Sequence, residues 1–206
     1  VATDPDWRNR TLYIAEGLSA IGALITIRDP KKHGGYALRG KVMNTHGMKD
    51  VDILKNKELS ELVAILGLDM SSSKITDLNY GKIVIMTDQD FDGFSIAALL
   101  VQFFSRWPDL FKLGMVCRLN TPLYVARKKG KPDQYFYSKP EFEVAQPNLK
   151  GYEIDFMKGL GSLSTPDYKH AIYNPVLSVL GWTGKDDLDM AFGDSADARK
   201  DWMLGK

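Results

Sequence analysis

The stretch Lys82–Leu100, KIVIMTDQDFDGFSIAALL, decides the fold. Its apolar run Ile83–Met86 stops at three alternating carboxylates, Asp88, Asp90 and Asp92; Gly93 and a second apolar run follow. This pattern reads as a buried strand that delivers acids to its carboxyl end, then a tight turn into a helix. Open α/β sheets place their sites in the crevice beyond the carboxyl ends of the strands. Three acids in five residues repel one another unless a cation sits among them. Carboxylate oxygens suit a hard divalent ion such as Mg²⁺, which keeps several of its waters. A solvated turn is the commoner fate of an Asp cluster taken alone, and the strand before this one argues against it.

Working outward, Thr11–Ala15 (TLYIA) is a second short apolar run. It breaks at Glu16-Gly17, and Leu18–Ile27 continues as an apolar helix, so strand, acid, glycine turn and helix recur. Glu16 thus stands at a strand end as Asp88 does, and neighbouring parallel strands would bring them together. Ile96–Trp107 is read as a helix that Pro108 ends. Met115–Leu119, Leu123–Ala126 and Gln134–Tyr137 read as strands, the last two joined through the basic turn Arg127–Lys131 (RKKGK). Tyr152–Met157 is a strand that runs into Lys158-Gly159-Leu160-Gly161-Ser162, where an ammonium and bare backbone N–H groups could meet a phosphate. Ser164 or Thr165 caps a helix over Thr165–Tyr173. A further helix is expected around Ala196–Met203, with Trp182, Phe192 and Trp202 packing the end of the chain onto the rest.

Bulk composition bounds the class. The 206 residues are 44% hydrophobic with a formal net charge of +1, which implies a folded core and excludes a global basic field. Any nucleic-acid surface must be local. Arg28–Lys41 reads as a basic, glycine-rich loop, either simply solvated, as charged loops usually are, or such a surface, whose phosphate contacts would position a duplex without reading it. Cys117 is the single cysteine, which excludes an internal disulfide and fits a reducing compartment. No apolar run approaches the ~20 residues of a membrane span, so no membrane is expected as a partner and the cytoplasm is the expected location. No signal-peptide pattern precedes Val1, and the chain is expected to be cut from a longer protein.

The motif D-x-D-x-D-G invites a calcium-loop reading, but the twelfth position, which should be a bidentate acid, is Leu99. A phosphatase with an aspartyl nucleophile remains open, with Lys158 as its downstream lysine. Metal-assisted phosphoryl transfer on DNA is the third reading. Mg²⁺ would neutralise developing charge, one strand-end glutamate would move the proton, and Lys158 with the basic loops would hold the backbone. The three scattered histidines and lone thiol argue against zinc.

Four motifs in order carry a resemblance: Glu16-Gly17-x-Ser19-Ala20, Leu38-Arg39-Gly40-Lys41-Val42-Met43-Asn44, Asp88-x-Asp90-x-Asp92-Gly93 and Lys158-Gly159-Leu160-Gly161. Together they resemble the Toprim region of type IIA DNA topoisomerases over nearly the whole chain. Tyr80–Asp90 and Arg199-Lys200-x-Trp202 look most like the eukaryotic and T-even phage enzymes, in the latter the large subunit.

The resemblance implies a Toprim core, a Rossmann-like parallel α/β sheet with helices on both faces. Residues 1–163 would form it, with a basic hairpin insertion near 115–138, and 164–206 would be a helical tail packed on it. Glu16 would be the general acid/base. Glu16 and Asp88 would hold one Mg²⁺, Asp88 and Asp90 a second, with Asp92 in support and Mn²⁺ or Ca²⁺ as substitutes. Lys158 would contact DNA near the scissile bond, and Arg39 and Lys41 would line the DNA path. The implied partners are double-stranded DNA, a tyrosine-bearing cleavage subunit or domain and an ATPase domain; ATP would bind only elsewhere in the parent enzyme, and a phage protein would act in the host cytoplasm.

Two departures stand out. Leu18 replaces the family's usual aspartate, and Phe94-Ser95 replaces its Ser-His. The family's nucleophile is a tyrosine after an arginine, and none of the nine tyrosines here follows one. The alternative is a Toprim scaffold with vestigial acids that recruits a nucleic-acid or protein partner.

Overall fold

Strand β1 (Thr11–Glu16) pairs in parallel with β2 (His33–Leu38) on one side and with β3 (Lys82–Met86) on the other. In the computed structural model, which describes residues 1–181, 184–193, 195 and 197, β4 (Val116–Asn120) extends this sheet in parallel beside β3. A second sheet is antiparallel. Its central strand β5 (Tyr124–Arg127) pairs with β6 (Gln134–Phe136) and β7 (Glu153–Phe156). The chain then returns to the first sheet, where β8 (Val176–Val179) pairs antiparallel with β4 and completes the order β2-β1-β3-β4-β8.

Residues alternate between faces along a strand, and both faces of β1 and β3 are apolar. Leu12, Ile14, Ile83 and Ile85 face one core. Helices α1 (Leu18–Ile27) and, later, α2 (Asp50–Ile53), α3 (Lys57–Leu66), α4 (Phe91–Phe104) and α5 (Pro108–Lys112) connect these strands. Of these, α3 and α4 pack on that first face, through Leu59, Leu62 and Leu66 and through Ile96, Leu100 and Phe103. The α3 leucines recur at helical spacing, and each fully buried one contributes roughly 1.5–3 kcal/mol. Tyr13, Ala15, Val84 and Met86 face the other core, which α1 covers through Ile21 and Leu24. The helix α6 (Lys139–Ala145) packs Phe142 against Phe136 of the second sheet. The helix α7 (Thr165–Tyr173) joins α1 on the second face through Tyr168 and Ile172, and α8 (Lys185–Phe192) follows β8. Among the described residues no helix is long and apolar enough to cross a membrane.

Four expectations need correction. Arg28–Lys41 is not a loop, because His33–Leu38 is the edge strand β2. Its glycines serve packing: a β-carbon on Gly34 would meet the Tyr80 hydroxyl at 2.4 Å, and one on Gly35 would touch Leu24 at 3.2 Å. Pro108 does not merely end a helix, since α4 stops at Phe104 and Pro108 opens α5 at its first turn, where a missing N–H costs nothing. The hairpin near 115–138 is divided: Val116–Asn120 belongs to the central sheet, and β5 with β6 makes the hairpin. Beyond residue 163 the chain carries strand β8 as well as helices. Trp182, Trp202, most of the helix expected around Ala196–Met203 and the Arg199-Lys200-x-Trp202 motif lie outside the described residues.

Candidate metal and DNA-cleavage site

The carboxyl ends of β1 and β3 lie side by side, with Ala15 opposite Met86. Glu16 ends β1, and the acids follow β3 after Thr87. Glu16, Asp88, Asp90 and Asp92 all line one cleft of about 560 Å³, closed on its other side by Leu160, Gly161, Leu163 and Tyr168. Parallel pairing thus brings together acids that lie 72 positions apart in the chain, from Glu16 to Asp88.

Each aspartate is held by a different donor. The Asp88 carboxylate accepts the Leu160 N–H at 2.7 Å, so the Lys158–Ser162 loop reaches over it. Asp90 caps α4, accepting the Gly93 N–H at 2.8 Å. Asp92 pairs with the Lys41 ammonium at 2.8 Å. Glycine is required at two of the contacts: a β-carbon on Gly159 would sit 2.6 Å from an Asp88 carboxylate oxygen, and one on Gly93 would sit 2.1 Å from the Asp88 carbonyl oxygen.

Glu16 carries the clearest electrostatic signature. Desolvation raises its carboxyl above the ordinary range, and the negative fields of Asp88, Asp90 and Asp92 raise it further against the pull of Lys41. A carboxyl shifted this way is a better proton donor near neutral pH than an ordinary surface glutamate.

As the side chains stand, among the described residues no three His, Cys, Asp or Glu groups enclose one ion. Mg²⁺ does not require such a group, because it is held through one or two carboxylates plus waters. Each aspartate uses one oxygen on its donor, and a carboxylate has further lone pairs to offer.

The other expected residues sit around this cleft. Lys158 is exposed at the start of the covering loop, and its backbone N–H donates to the Ser162 hydroxyl at 3.0 Å. Arg39 lies with Glu16, Gly17, Leu18 and Gly40 around an adjoining depression, and its backbone N–H donates to Glu58 at 2.6 Å. Lys41 reaches the acids directly through Asp92. Arg127 leaves the basic turn for the interior, pairing with Asp155 at 2.7 Å, with Asp167 at 2.7 Å and with Asp133.

Sequence reasoning missed Arg118. It is 8% exposed on β4, donates to the Asp88 carbonyl at 2.8 Å and stacks 4.2 Å from the Phe94 ring. Its one signal was a lone cation inside the strand run VCRLN. The Phe94 departure therefore has a role, as the platform under the arginine that holds the acidic turn. Leu18, the other departure, is 81% exposed at the start of α1. Thr87 donates to the Gly93 carbonyl at 3.1 Å and is buried, so its hydroxyl is not available to the cleft as an aspartyl phosphatase would need.

The Toprim domain family model matches residues 11–120. The DNA topoisomerase small subunit of Enterobacteria phage T4 is 42% identical over 137 residues, covering 64% of this chain and 84% of that protein. The motifs pointed to a large subunit of such a phage enzyme; the phage relative found is a small one. Mitochondrial DNA topoisomerase 2 of Dictyostelium discoideum is 32% identical over 212 residues, 94% of this chain but 16% of the relative. The crystal structure of the Plasmodium falciparum topoisomerase II DNA-binding, cleavage and re-ligation domain superposes with a TM-score of 0.79 at 31% identity, covering 97% of this chain and 30% of that one. The chain thus spans most of the phage subunit and a small part of the eukaryotic enzymes, and by these matches and the four ordered motifs it belongs to the Toprim domain family, as the Toprim domain of a type II DNA topoisomerase.

Proposed function

We propose that this chain supplies the acidic half of a Mg²⁺-dependent DNA cleavage and religation site in an ATP-dependent type II topoisomerase. The observation that carries the reading is the meeting of Glu16 with Asp88, Asp90 and Asp92 in one cleft at the ends of adjacent parallel strands. Glu16 is the general acid/base. It would protonate the sugar oxygen that departs on cleavage and take the proton back on religation. Asp88 would hold metal jointly with Glu16 and with Asp90, and Asp92 supports from the rim. Bound there, Mg²⁺ would neutralise charge on the phosphodiester, and Mn²⁺ or Ca²⁺ would occupy the same oxygens.

Lys158, Arg39 and Lys41 hold the DNA backbone around this cleft. Lys41 serves both partners, since its ammonium already balances Asp92. Residues 1–163 form most of the metal-binding unit, to which α7 adds a covering helix and β8 an edge strand. The nucleophilic tyrosine comes from another domain or subunit, and the ATPase likewise, so the chain by itself cuts nothing. The enzyme works in the cytoplasm, in a host cytoplasm for a phage protein.

Reconstitution with a tyrosine-bearing subunit on supercoiled plasmid tests the reading. Mg²⁺-dependent, protein-linked breaks are expected with the wild-type chain and none with Glu16→Ala. Protein-linked breaks from the isolated chain, or undiminished breaks with Glu16→Ala, would overturn it.

A further inference from the structure

At the opposite end of the central sheet, where β1 and β3 begin, a second cavity of about 290 Å³ opens between the sheet, α7 and β8. Five residues of strand, ~16 Å, separate it from the acidic cleft. Tyr13 forms part of its floor and is 2% exposed. Among the described residues its hydroxyl has no hydrogen-bond partner within the protein, and it is not one of the fully buried polar atoms, so it opens to the cavity. Burial and the neighbouring Tyr173 phenol push its pKa up to about 12, so it stays a donor.

His33 stands beside it, the two rings edge to face at 5.5 Å. Its Nδ1 accepts the Asp29 backbone N–H at 3.3 Å, which leaves the ring proton on Nε2. Burial lowers its pKa, so the ring is neutral at pH 7; Asp29 opposes that shift, and Lys32 and Arg28 add to it. Lys32 and Lys82 also line the cavity, and among the described residues neither ammonium has an ion pair or hydrogen bond. Asp29 is the single carboxylate in the lining, and its Oδ1 already accepts the Lys31 N–H at 2.9 Å.

Two lysines without ion pairs, a histidine with its proton on Nε2 and a tyrosine therefore line one space, against one engaged carboxylate. Charge-assisted donors of this kind match the oxygens of a tetrahedral oxyanion. We propose that this cavity is a second ligand site, which takes a small phosphate-bearing molecule with its phosphate among Lys32, Lys82, Tyr13 and His33. The apolar wall of Ile172, Pro175 and Leu177 accommodates the organic part. Recession of the Tyr13 hydroxyl to the floor favours a small ligand over the backbone of a duplex. The site uses neither the cleft acids nor Lys158, Arg39 and Lys41, although Lys32 and His33 belong to the stretch read from the sequence as a duplex surface.

The test is a titration of the full chain, metal-free and at constant ionic strength, read by the imidazole resonances of its three histidines. The probes are inorganic phosphate, adenosine monophosphate and a short DNA duplex. A saturable shift at His33, absent at His46 and His170, is expected with the first two. Lys82→Met should weaken it at least tenfold. Tyr13→Phe, which keeps the ring in the core, should weaken it several-fold with an unchanged unfolding midpoint. Should Lys82→Met fail to fold, Lys32→Ala at the exposed rim gives the same reading. A non-saturating shift, a shift unmoved by these substitutions, or one produced by the duplex alone would overturn the proposal.

Discussion

Gly159 owes its identity to Asp88. Its backbone φ of 168° is open to any residue, so the requirement is space and not conformation. Gly159→Ala drives a methyl against the carboxylate, at 2.6 Å, and either the loop or the acid must move. The expected result is a loss of about 1–3 kcal/mol of stability, read by urea unfolding, with Mg²⁺ affinity down at least tenfold by calorimetry. Asp90 allows a cleaner separation. It caps α4 and is also a proposed metal ligand, and asparagine caps a helix about as well as aspartate but lacks the charge. Asp90→Asn should therefore leave stability within about 0.5 kcal/mol while Mg²⁺ binding weakens markedly. Equal losses of both would mean that the carboxylate acts only through the fold.

At the scale of elements, Arg127 and Asp167 tie the second sheet to the first turn of α7. Asp167 is wholly buried and accepts from Arg127 at 2.7 Å, from Tyr135 at 3.1 Å and from Ser164. Burial alone would raise its carboxyl, but these hydrogen bonds outweigh it and hold it below the ordinary 3.8. A depressed carboxyl stabilises the fold above its unfolded pKa and loses that contribution as pH falls through its folded value. Asp167→Asn should cost about 3 kcal/mol at neutral pH. The gap from wild type should narrow below pH 3.8 in urea unfolding across that range. The acids of the cleft were legible because strand, acid, glycine and helix recur at Thr11–Ile27 and Lys82–Phe104. Strand β2 was not, because His33, Gly34 and Gly35 lack the apolar content by which strands are read; those glycines are set by Tyr80 and α1, which the linear sequence does not place beside them. Strand β8 was hidden for a related reason: four edge residues, mostly exposed, bury too little to leave a pattern. Arg118 was invisible as a support of Asp88 because its partner is a main-chain carbonyl, which has no sequence signature.

For the whole molecule, a formal charge of +1 leaves DNA affinity to local clusters. After Arg127 is drawn inward, the hairpin tip still exposes Lys129 and Lys131, while Lys128 donates to the Lys150 carbonyl at 3.2 Å and lies over Tyr152. Replacing Lys129 and Lys131 by alanine should reduce the slope of log affinity against log salt by about 2, measured on duplex DNA; an unchanged slope would place the tip in solvent. Strand β8 has a further consequence, for the order in which the chain assembles. Its partner β4 precedes it by the entire second sheet, from Thr121 to Pro175. During translation that interval lasts roughly 3–10 s, and throughout it the β4 edge stands open as a template for stray strands. The second sheet, built from a local hairpin, can form meanwhile, so the newborn protein carries a finished appendage on an unfinished core until Val176–Val179 emerges and seals it.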